Sequence, residues 1–506
     1  MDDVGADDSH QRLPVTILSA VELLLRHLSA PTDSSAPTSS KMPFTAGLPS
    51  GLLEKPSPLL KKIMIGFVLA SLFGLAVAMT VAPPSQELLG AEYGTGNLNS
   101  ASISWLLFSS ALVLLMTPGL AFFYGGMIGH KNVIATISAV VICMAIVPIF
   151  WSLMSFSLAF GDSAGHPDMI GTPRSYGLMY NVDSSDAGGY PVTTLFIFQG
   201  MFAIITPAIL VGSIADRVNF PSLMLFVPMW HMAVYCPVAF MVWNGGLINQ
   251  YGVLDFAGGM VVHMSSGWGA LAAAFFMGPR KAEVEGPANV AYTILGAALL
   301  WFGWFGFNGG SALAGNEFAA HAFLNTNVAT STAMLAWILL DQLFGKPFKV
   351  TGFAMGIVCG LVAITPACGL VNVGAASIIG IMGSICSYCV QVVMVMLGRK
   401  IADDSLDVFA AHGVSGTAGM IMTSLFQTSE AGSYIDGAFY GNPSELGKCM
   451  IVLLCLVGYY LLATYILMFI TNIFISMRVT EEEEEEGLDF SKHYEGPVAE
   501  STVADL

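Results

Sequence analysis

Charged residues are scarce in this sequence. Only 10% of its 506 residues are Asp, Glu, Lys or Arg, whereas 55% are hydrophobic, and the mean hydropathy is +0.70. This composition excludes a water-soluble domain, and no segment has the concentrated basic residues of a nucleic-acid-binding surface. The net charge of −17 comes largely from the two ends and the loops. The composition therefore predicts an all-α polytopic membrane protein with no nucleic-acid partner.

Metal-binding and catalytic groupings are also missing. The eight cysteines mostly lie in apolar runs, and Cys386 with Cys389 has no accompanying Cys or His, so we interpret the cysteines as packing residues. No nucleophile or metal-ligand set accompanies the few ionisable residues inside the apolar runs. We therefore expect neither an enzyme nor a cofactor.

The chain has four predicted regions. Residues 1–60 are rich in Ser, Pro and Thr and cannot bury a core, so they are predicted to be a disordered extension. Residues 61–84 form an additional hydrophobic segment after Lys61 and Lys62, which is either a signal-anchor or a cleaved signal sequence. Residues 100–477 form the membrane domain, and residues 478–506 form an acidic tail.

The membrane domain contains about eleven apolar runs, each near the length that crosses a bilayer. Several contain glycine or proline, which membrane helices tolerate. The runs extend over residues 103–124, 133–160, 191–214, 222–243, 255–277, 289–313, 320–344, 352–371, 373–397, 408–427 and 449–476.

Basic residues indicate how the runs are oriented. Alternate connections hold nearly all of them, and the intervening loops hold only Arg174 and Lys448. By the positive-inside rule the basic connections are cytoplasmic, so the N-terminus of the core lies outside and the tail inside. The basic connections contain Lys131, Arg217, Arg280, Lys281, Lys346, Lys349, Arg399, Lys400 and Arg478.

Two helices carry a histidine inside the membrane. His263 follows Asp255 by eight residues, roughly 12 Å of helix, and His412 follows Asp407 on a helix that starts from the opposite side. Opposite polarity indicates two inverted halves of five helices each, plus a last helix. One buried histidine is more often a packing residue, but two at similar depth favour a shared pathway.

Asp255 and several aromatic residues leave alternatives open. Asp255 begins its helix, where a carboxylate either caps free N–H groups or attracts incoming cations. Trp243 ends a helix on the outer side, and taken alone it is typical of a membrane-interface belt. Aromatic residues also crowd the stretches 195–202 and 301–311, where each singly is typical of a core.

Six ordered stretches resemble motifs of the ammonium transporter (Amt/Mep/Rh) family. The resemblance extends over roughly residues 100 to 495, without a large gap, which makes it highly specific. The stretches are TPGLAFFYGG (117–126), DFAGGMVVHMSSGWGA (255–270), GWFGFNGGS (303–311), LNTNVAT (324–330), TPACG (365–369) and DVFAAHGV (407–414).

The resemblance implies an eleven-helix protomer of a homotrimer, with one pore in each subunit. By motif position, Trp243 and Ser311 belong to an outer recruitment site. Because a cation–π attraction is modest by itself, we expect Asp255 and backbone carbonyls to contribute to that site. Phe202 and Phe307 correspond to a phenylalanine gate, Trp304 to the pore wall, and His263 and His412 to a pair of pore histidines. The combination of Trp243 and Ser311 is more similar to the Amt/Mep branch than to the Rh branch.

The expected function is ammonium uptake, in which the ion is recruited, deprotonated and passed through a hydrophobic pore, with net charge transport. An Rh-like channel for ammonia gas and an ammonium sensor with little flux are the alternatives. The tail has His493-Tyr494-Glu495 where the family usually has His-Gly-Glu. Its regulatory coupling and a regulatory protein partner at the cytoplasmic side therefore stay open, and the plasma membrane is the expected location.

Overall fold

The computed structural model describes residues 98–182, 187–283, 285–398 and 401–495. Within these ranges the chain is helical, and its β-structure is limited to two isolated bridges, Ser163 with Gly171 and Val218 with Arg478. The predicted all-α class is confirmed. The extension 1–60 and the hydrophobic segment 61–84 lie outside the described residues.

Eleven helical segments of the described chain account for the predicted spans. Nine are long and apolar enough to cross a membrane, and α8 (Val350–Ile364) is shorter. The remaining segment, α10, joins the π-helical turn Phe409–Val414 to the α-helix Ser415–Phe426. The nine long helices are α1 (Ser100–Met127), α2 (His130–Phe160), α3 (Val192–Ile214), α4 (Phe220–Tyr251), α5 (Gly259–Met277), α6 (Val290–Gly310), α7 (Glu317–Leu343), α9 (Val373–Leu397) and α11 (Ser444–Phe474).

The helices form two sets of five and a final helix. Helix α1 packs along α6, which joins the two sets, while α7 packs along α8 and α9. Helix α11 lies against α5. Because α5 and α10 begin at opposite ends of the bundle and both start with a π-helical turn, they are equivalent elements of the two sets.

Helices α5 and α10 cross where both have glycine. A Cβ atom built on Gly267 would lie only 2.0 Å from the backbone nitrogen of Gly413. Small residues allow helices to approach backbone to backbone inside a bilayer. The crossing follows His263 by one turn of α5 and coincides with the residue after His412, so it sets the separation of the two histidines.

A buried ionic cluster joins three basic connections at one end of the bundle. The fully buried Arg217 guanidinium donates to the Asp216 carboxylate, the Ser405 hydroxyl and the Asp403 carbonyl. Arg280 forms ion pairs with both Asp216 and Asp403. The predicted placement of these connections on a common side is therefore seen directly, while Arg399 and Lys400 lie outside the described residues.

The acidic tail docks on the same end. Helix α12 (Glu481–Glu486) begins with a capping box between Thr480 and Glu483, and the short helix α13 covers Leu488–Ser491. The buried Glu484 accepts from Arg478 at 2.7 Å, and Arg478 also donates to the Met277 carbonyl at the end of α5. The tail is thus bonded directly to the helix that carries His263.

Candidate functional site

A line of aromatic rings leads from the end of the bundle opposite the ionic cluster to its middle. The rings of Trp243 and Phe202 meet edge to face, with centroids 6.0 Å apart and planes at 90°. Phe202 and Phe307 stack at 4.0 Å and 26°, and both side chains are fully buried. The two stacked rings therefore fill the space between α3 and α6 at this level of the bundle.

Trp243 is held by the backbone that follows it. Its indole N–H donates to the carbonyl of Asp255 at 2.9 Å, which ties the end of α4 to the start of α5. The same two residues contribute to a cavity of about 180 Å³ whose lining also includes Asn249, Phe256 and Tyr434. This bond holds the Trp243 indole against the start of α5, where its ring also contacts Phe202.

Asp255 caps the helix that carries His263. Its two carboxylate oxygens accept from the backbone nitrogens of Gly258, Gly259, Met260 and Val261, at 2.7 to 3.4 Å. The side chain is only 6% exposed. Of the two alternatives for Asp255, the structural cap is therefore present, and any attraction of cations acts through its charge and not through a free oxygen.

Ser311 joins the site through Phe307. It follows the last residue of α6, and its hydroxyl donates to the Phe307 carbonyl at 2.8 Å, one helical turn earlier. The hydroxyl oxygen keeps acceptor capacity for a further donor. Ser311 therefore lies one helical turn beyond the stacked Phe307, toward the end of the bundle opposite the ionic cluster.

The two histidines are in contact below the phenylalanines. Their Nδ1 atoms lie 3.3 Å apart, and the side chains are 0% and 2% exposed for His263 and His412. A hydrogen bond at this distance requires that one Nδ1 carry a hydrogen and the other accept it. The ring of His263 lies 5.8 Å from that of Phe307, so the pair continues the aromatic line.

Trp304 positions the ring of His263. The two rings are nearly parallel, with centroids 5.2 Å apart and planes at 17°. The indole N–H donates to the Thr365 hydroxyl at 2.8 Å, and that hydroxyl donates to the Leu361 carbonyl at 2.8 Å. The stack is thus anchored on α8, and His263 Nε2 has no protein partner within the described residues.

This arrangement has the chemistry of a narrow, mostly apolar conduit. Rings of Trp243, Phe202, Phe307, His263 and His412 follow one another at 4.0 to 6.0 Å. Among the described residues, the side-chain polar atoms of this line are the indole N–H of Trp243 and the imidazole nitrogens, and the Ser311 hydroxyl lies one helical turn after Phe307. Within the described residues, His, Cys, Asp and Glu form no cluster that could hold a metal ion.

Two residues of the site escaped the sequence-based prediction. Thr365 lies in the quoted TPACG motif, but nothing in a single sequence pairs it with Trp304. Asp404 precedes His412 by eight residues, the same spacing that separates Asp255 from His263, whereas the prediction paired His412 with Asp407. Asp407 instead has a φ of 55° and accepts from Gln391, so the repeated spacing was the signal that identifies Asp404.

Comparison with known proteins agrees with this architecture. A model of the Ammonium Transporter Family matches residues 104–497. An ammonium transporter of Bacillus subtilis (strain 168) is 42% identical over 397 residues, covering 77% of this chain and 96% of the relative. Ammonium transporter Amt1 of Archaeoglobus fulgidus is 38% identical over 401 residues, covering 79% of this chain and 99% of the relative.

Solved structures share the fold. The crystal structure of Saccharomyces cerevisiae Mep2 superposes with a TM-score of 0.71 at 31% identity, over 78% of this chain and 93% of that one. A sensor Amt protein gives a TM-score of 0.71 at 25% identity, over 78% of this chain and 98% of that one. The chain therefore belongs to the ammonium transporter family, on its Amt/Mep side, and is a transporter and not an enzyme.

Proposed function

We propose that this protein takes up ammonium through the conduit described above, by recruiting the ion, removing a proton and passing ammonia along the histidine pair. The observation that carries the proposal is the 3.3 Å contact of two buried imidazoles directly below the stacked Phe202 and Phe307. An imidazole pair at the centre of a membrane domain is costly unless it serves a polar substrate.

Recruitment takes place at the outer end. An ammonium ion over the Trp243 ring gains about 0.5 to 2 kcal/mol from the cation–π interaction, depending on its desolvation. Ser311 accepts a hydrogen bond from the ion, and the Asp255 carboxylate adds negative potential from behind the indole. Potassium can use the ring face but has no N–H to donate, so Ser311 favours ammonium.

Deprotonation precedes passage through the gate. A charge at the middle of the membrane costs roughly 2.5 kcal/mol or considerably more, whereas ammonia is neutral. Once ammonia is past Phe202 and Phe307, the free Nε2 of His263 offers it a hydrogen bond. The N–H bond of ammonium breaks as solvent water at the outer end takes the proton. That proton crosses separately, relayed by water to the imidazole pair and along its shared hydrogen bond, which makes the overall uptake electrogenic.

The proposal also covers assembly and location: the resemblance implies the trimer, uptake favours the plasma membrane, and the basic connections favour a cytoplasmic tail. The protein assembles as a homotrimer with one pore in each subunit, and it lies in the plasma membrane with its tail in the cytoplasm. A regulatory protein that binds the docked tail would affect the pore by shifting Arg478 and Glu484, whose hydrogen bonds connect α12 to the end of α5. Proteoliposome currents test the pore independently of these features.

The test is a solid-supported-membrane recording on proteoliposomes challenged with ammonium and then with potassium. We expect a saturable current with ammonium alone, which is lost in Trp243→Leu and His263→Ala variants. His231→Ala is the matched control because His231 is equally buried and lies on a π-helical turn of α4, away from the ring line. Currents in His263→Ala equal to wild type in size and pH dependence would refute the role of the pair.

Two other outcomes identify the alternatives. A rapid ammonia-driven pH change without current would indicate an Rh-like gas channel. Intact ammonium binding without current or pH change would indicate a sensor, the function in the name of the structural relative at 25% identity.

A further inference from the structure

We propose that Asp404 is the proton-exchanging group at the inner end of the pore and that, as a carboxylic acid, it protonates the ammonia arriving from His412. This inference rests on the proposed function. Three observations of the structure carry it: an equivalence with Asp255, an unpaired oxygen, and the charges around the carboxyl group.

Asp404 and Asp255 occupy equivalent positions in the two inverted halves. Asp255 Oδ2 accepts from the backbone nitrogen five residues later, that of Met260, at 2.7 Å. Asp404 Oδ2 likewise accepts from the nitrogen five residues later, that of Phe409, at 2.7 Å. Each bonded nitrogen precedes the pore histidine by three residues, so each carboxyl group caps the same helical turn that carries its histidine.

The two carboxyl groups differ in how their oxygens are satisfied. Four backbone N–H groups occupy both oxygens of Asp255. In Asp404, Oδ1 is buried and has no hydrogen-bond partner within the described residues. A buried, unpaired carboxylate oxygen is unfavourable, and protonation or a hydrogen-bonding substrate relieves that cost. Asp255 is therefore a permanent cap, whereas Asp404 has one oxygen available for proton exchange.

The pKa of Asp404 is shifted in the opposite direction from those of Asp216 and Asp403 in the ionic cluster. Burial raises the pKa of Asp404 to about 7, and the charge of Asp407 acts in the same direction. The amides of Phe409 and Val408 and the Arg217 guanidinium oppose this shift. Arg217 is already engaged elsewhere, since its N–H groups bond Asp216, Ser405 and the Asp403 carbonyl.

The other groups that face Asp404 do not neutralise it. From α1, the Tyr124 hydroxyl approaches but donates to the Ile209 carbonyl at 3.0 Å. The adjacent Asp403 is paired with Arg280, whose hydrogen bonds lower the pKa of Asp403 although burial opposes the charged form. Burial also raises the pKa of Asp407, whose carboxylate accepts from Gln391. Unlike Asp216 and Asp403, Asp404 therefore holds a proton near cytosolic pH, which suits a group that must both give and regain it.

The step is balanced in atoms and charge. The ammonia lone pair takes the proton of the Asp404 carboxylic acid, so an O–H bond breaks, an N–H bond forms, and ammonium leaves for the cytosol. The carboxylate regains a proton delivered along the histidine pair or by cytosolic water. Because the acid form is active, turnover is full at internal pH below about 7 and declines above it.

The experiment measures ammonium current in proteoliposomes as internal pH is varied at constant external pH. We expect the wild-type current to fall as internal pH rises through about 7. Asp404→Asn keeps an acceptor for the Phe409 amide but carries no exchangeable proton. It should lose the pH step and about a hundredfold of the maximal current, the low end of what a positioned acid contributes.

Three further variants make the result specific. Asp404→Glu should recover part of the current with a pH step, which a purely structural role would not produce. Asp407→Asn removes the neighbouring charge and should move the step to lower pH. Asp436→Asn, at the opposite end, also changes a carboxylate that accepts a backbone N–H and should leave the step in place.

The outcomes separate this inference from the proposed function. A wild-type protein without ammonium current would overturn the proposed function itself. A wild-type current together with an Asp404→Asn variant that keeps both the maximal current and the pH step would overturn only the role of Asp404. For the expected outcome, Asp404→Asn should lower the maximal current without changing the ammonium concentration that gives half-maximal current, because recruitment occurs at the opposite end of the pore.

Discussion

Replacing Gly267 with alanine tests whether the crossing of α5 and α10 sets the geometry of the histidine pair. The added Cβ would lie 2.0 Å from the nitrogen and 2.3 Å from the Cα of Gly413, both backbone atoms that cannot rotate away. Ordinary contact begins near 3.4 Å, so the helices must separate by about 1.4 Å. The histidine nitrogens are already 3.3 Å apart, and such a shift would break their hydrogen bond.

The expected cost follows from two opposing terms. Overpacking a tight interface typically costs about 1 to 3 kcal/mol, and a backbone clash belongs at the upper end. Alanine in place of glycine within a helix recovers about 1 kcal/mol. We therefore expect a net destabilisation of about 2 kcal/mol, together with loss of most ammonium current even in the protein that remains folded.

Gly458→Ala is the matched control. Gly458 also lies within a membrane helix, α11, but a Cβ there meets no atom within 4 Å. Currents of this variant in proteoliposomes should therefore be near wild type. Its melting temperature in detergent, followed by intrinsic fluorescence, should be equal to or slightly above wild type, because alanine gains about 1 kcal/mol in a helix. A Gly267→Ala protein that melts and conducts like Gly458→Ala would refute the reasoning that the crossing positions the histidines.

The remaining predictions concern the anchors of the site. Thr365→Val leaves the Trp304 indole N–H unpaired and should lower the free energy of unfolding by about 1 to 3 kcal/mol and reduce the current. Thr464→Val, the control, leaves the Trp230 indole N–H unpaired and should lower stability by a similar amount without reducing the current. Equal currents in the two variants would contradict a role for Trp304. Burial opposes ionisation of Asp216, but Arg217 and Arg280 lower its pKa below the ordinary value of 3.8. The ionised carboxylate therefore stabilises the fold at pH above 3.8, and this stabilisation should be lost as the pH falls below 3.8. A melting temperature that is the same at pH 5 and pH 3 would contradict this prediction. Arg478→Ala removes the bonds to Glu484 and Met277 and should expose the tail to limited proteolysis, with Lys448→Ala at the opposite end as the control.

Much of the architecture was predictable because a bilayer leaves the chain few choices. Backbone groups in hydrocarbon must bond within helices, so long apolar runs and the side preference of Lys and Arg were enough for the class and approximate spans. The prediction that eight helical residues separate Asp255 from His263 was wrong, because the helix begins only at Gly259 and Asp255 caps it from the preceding turn. Motif order identified Trp243, Ser311, Phe202, Phe307, Trp304 and His412 as candidates, although it said nothing of their distances.

The rest required tertiary structure because it depends on contacts between residues far apart in the chain. Whether His263 and His412 touch was decided by the Gly267 and Gly413 crossing, and the orientation of Trp304 by a threonine 61 residues away. Composition identified Glu481 to Glu486 only as a run of charge, and its helix and docking emerged with Arg478 as partner. The equal spacing of Asp255 and Asp404 before the two histidines was already present in the sequence, because spacing along the chain determines which residues share a helical register. Tertiary packing alone left one oxygen of Asp404 unpaired while both oxygens of Asp255 are bonded, because neighbouring groups determine which hydrogen bonds a carboxyl group forms.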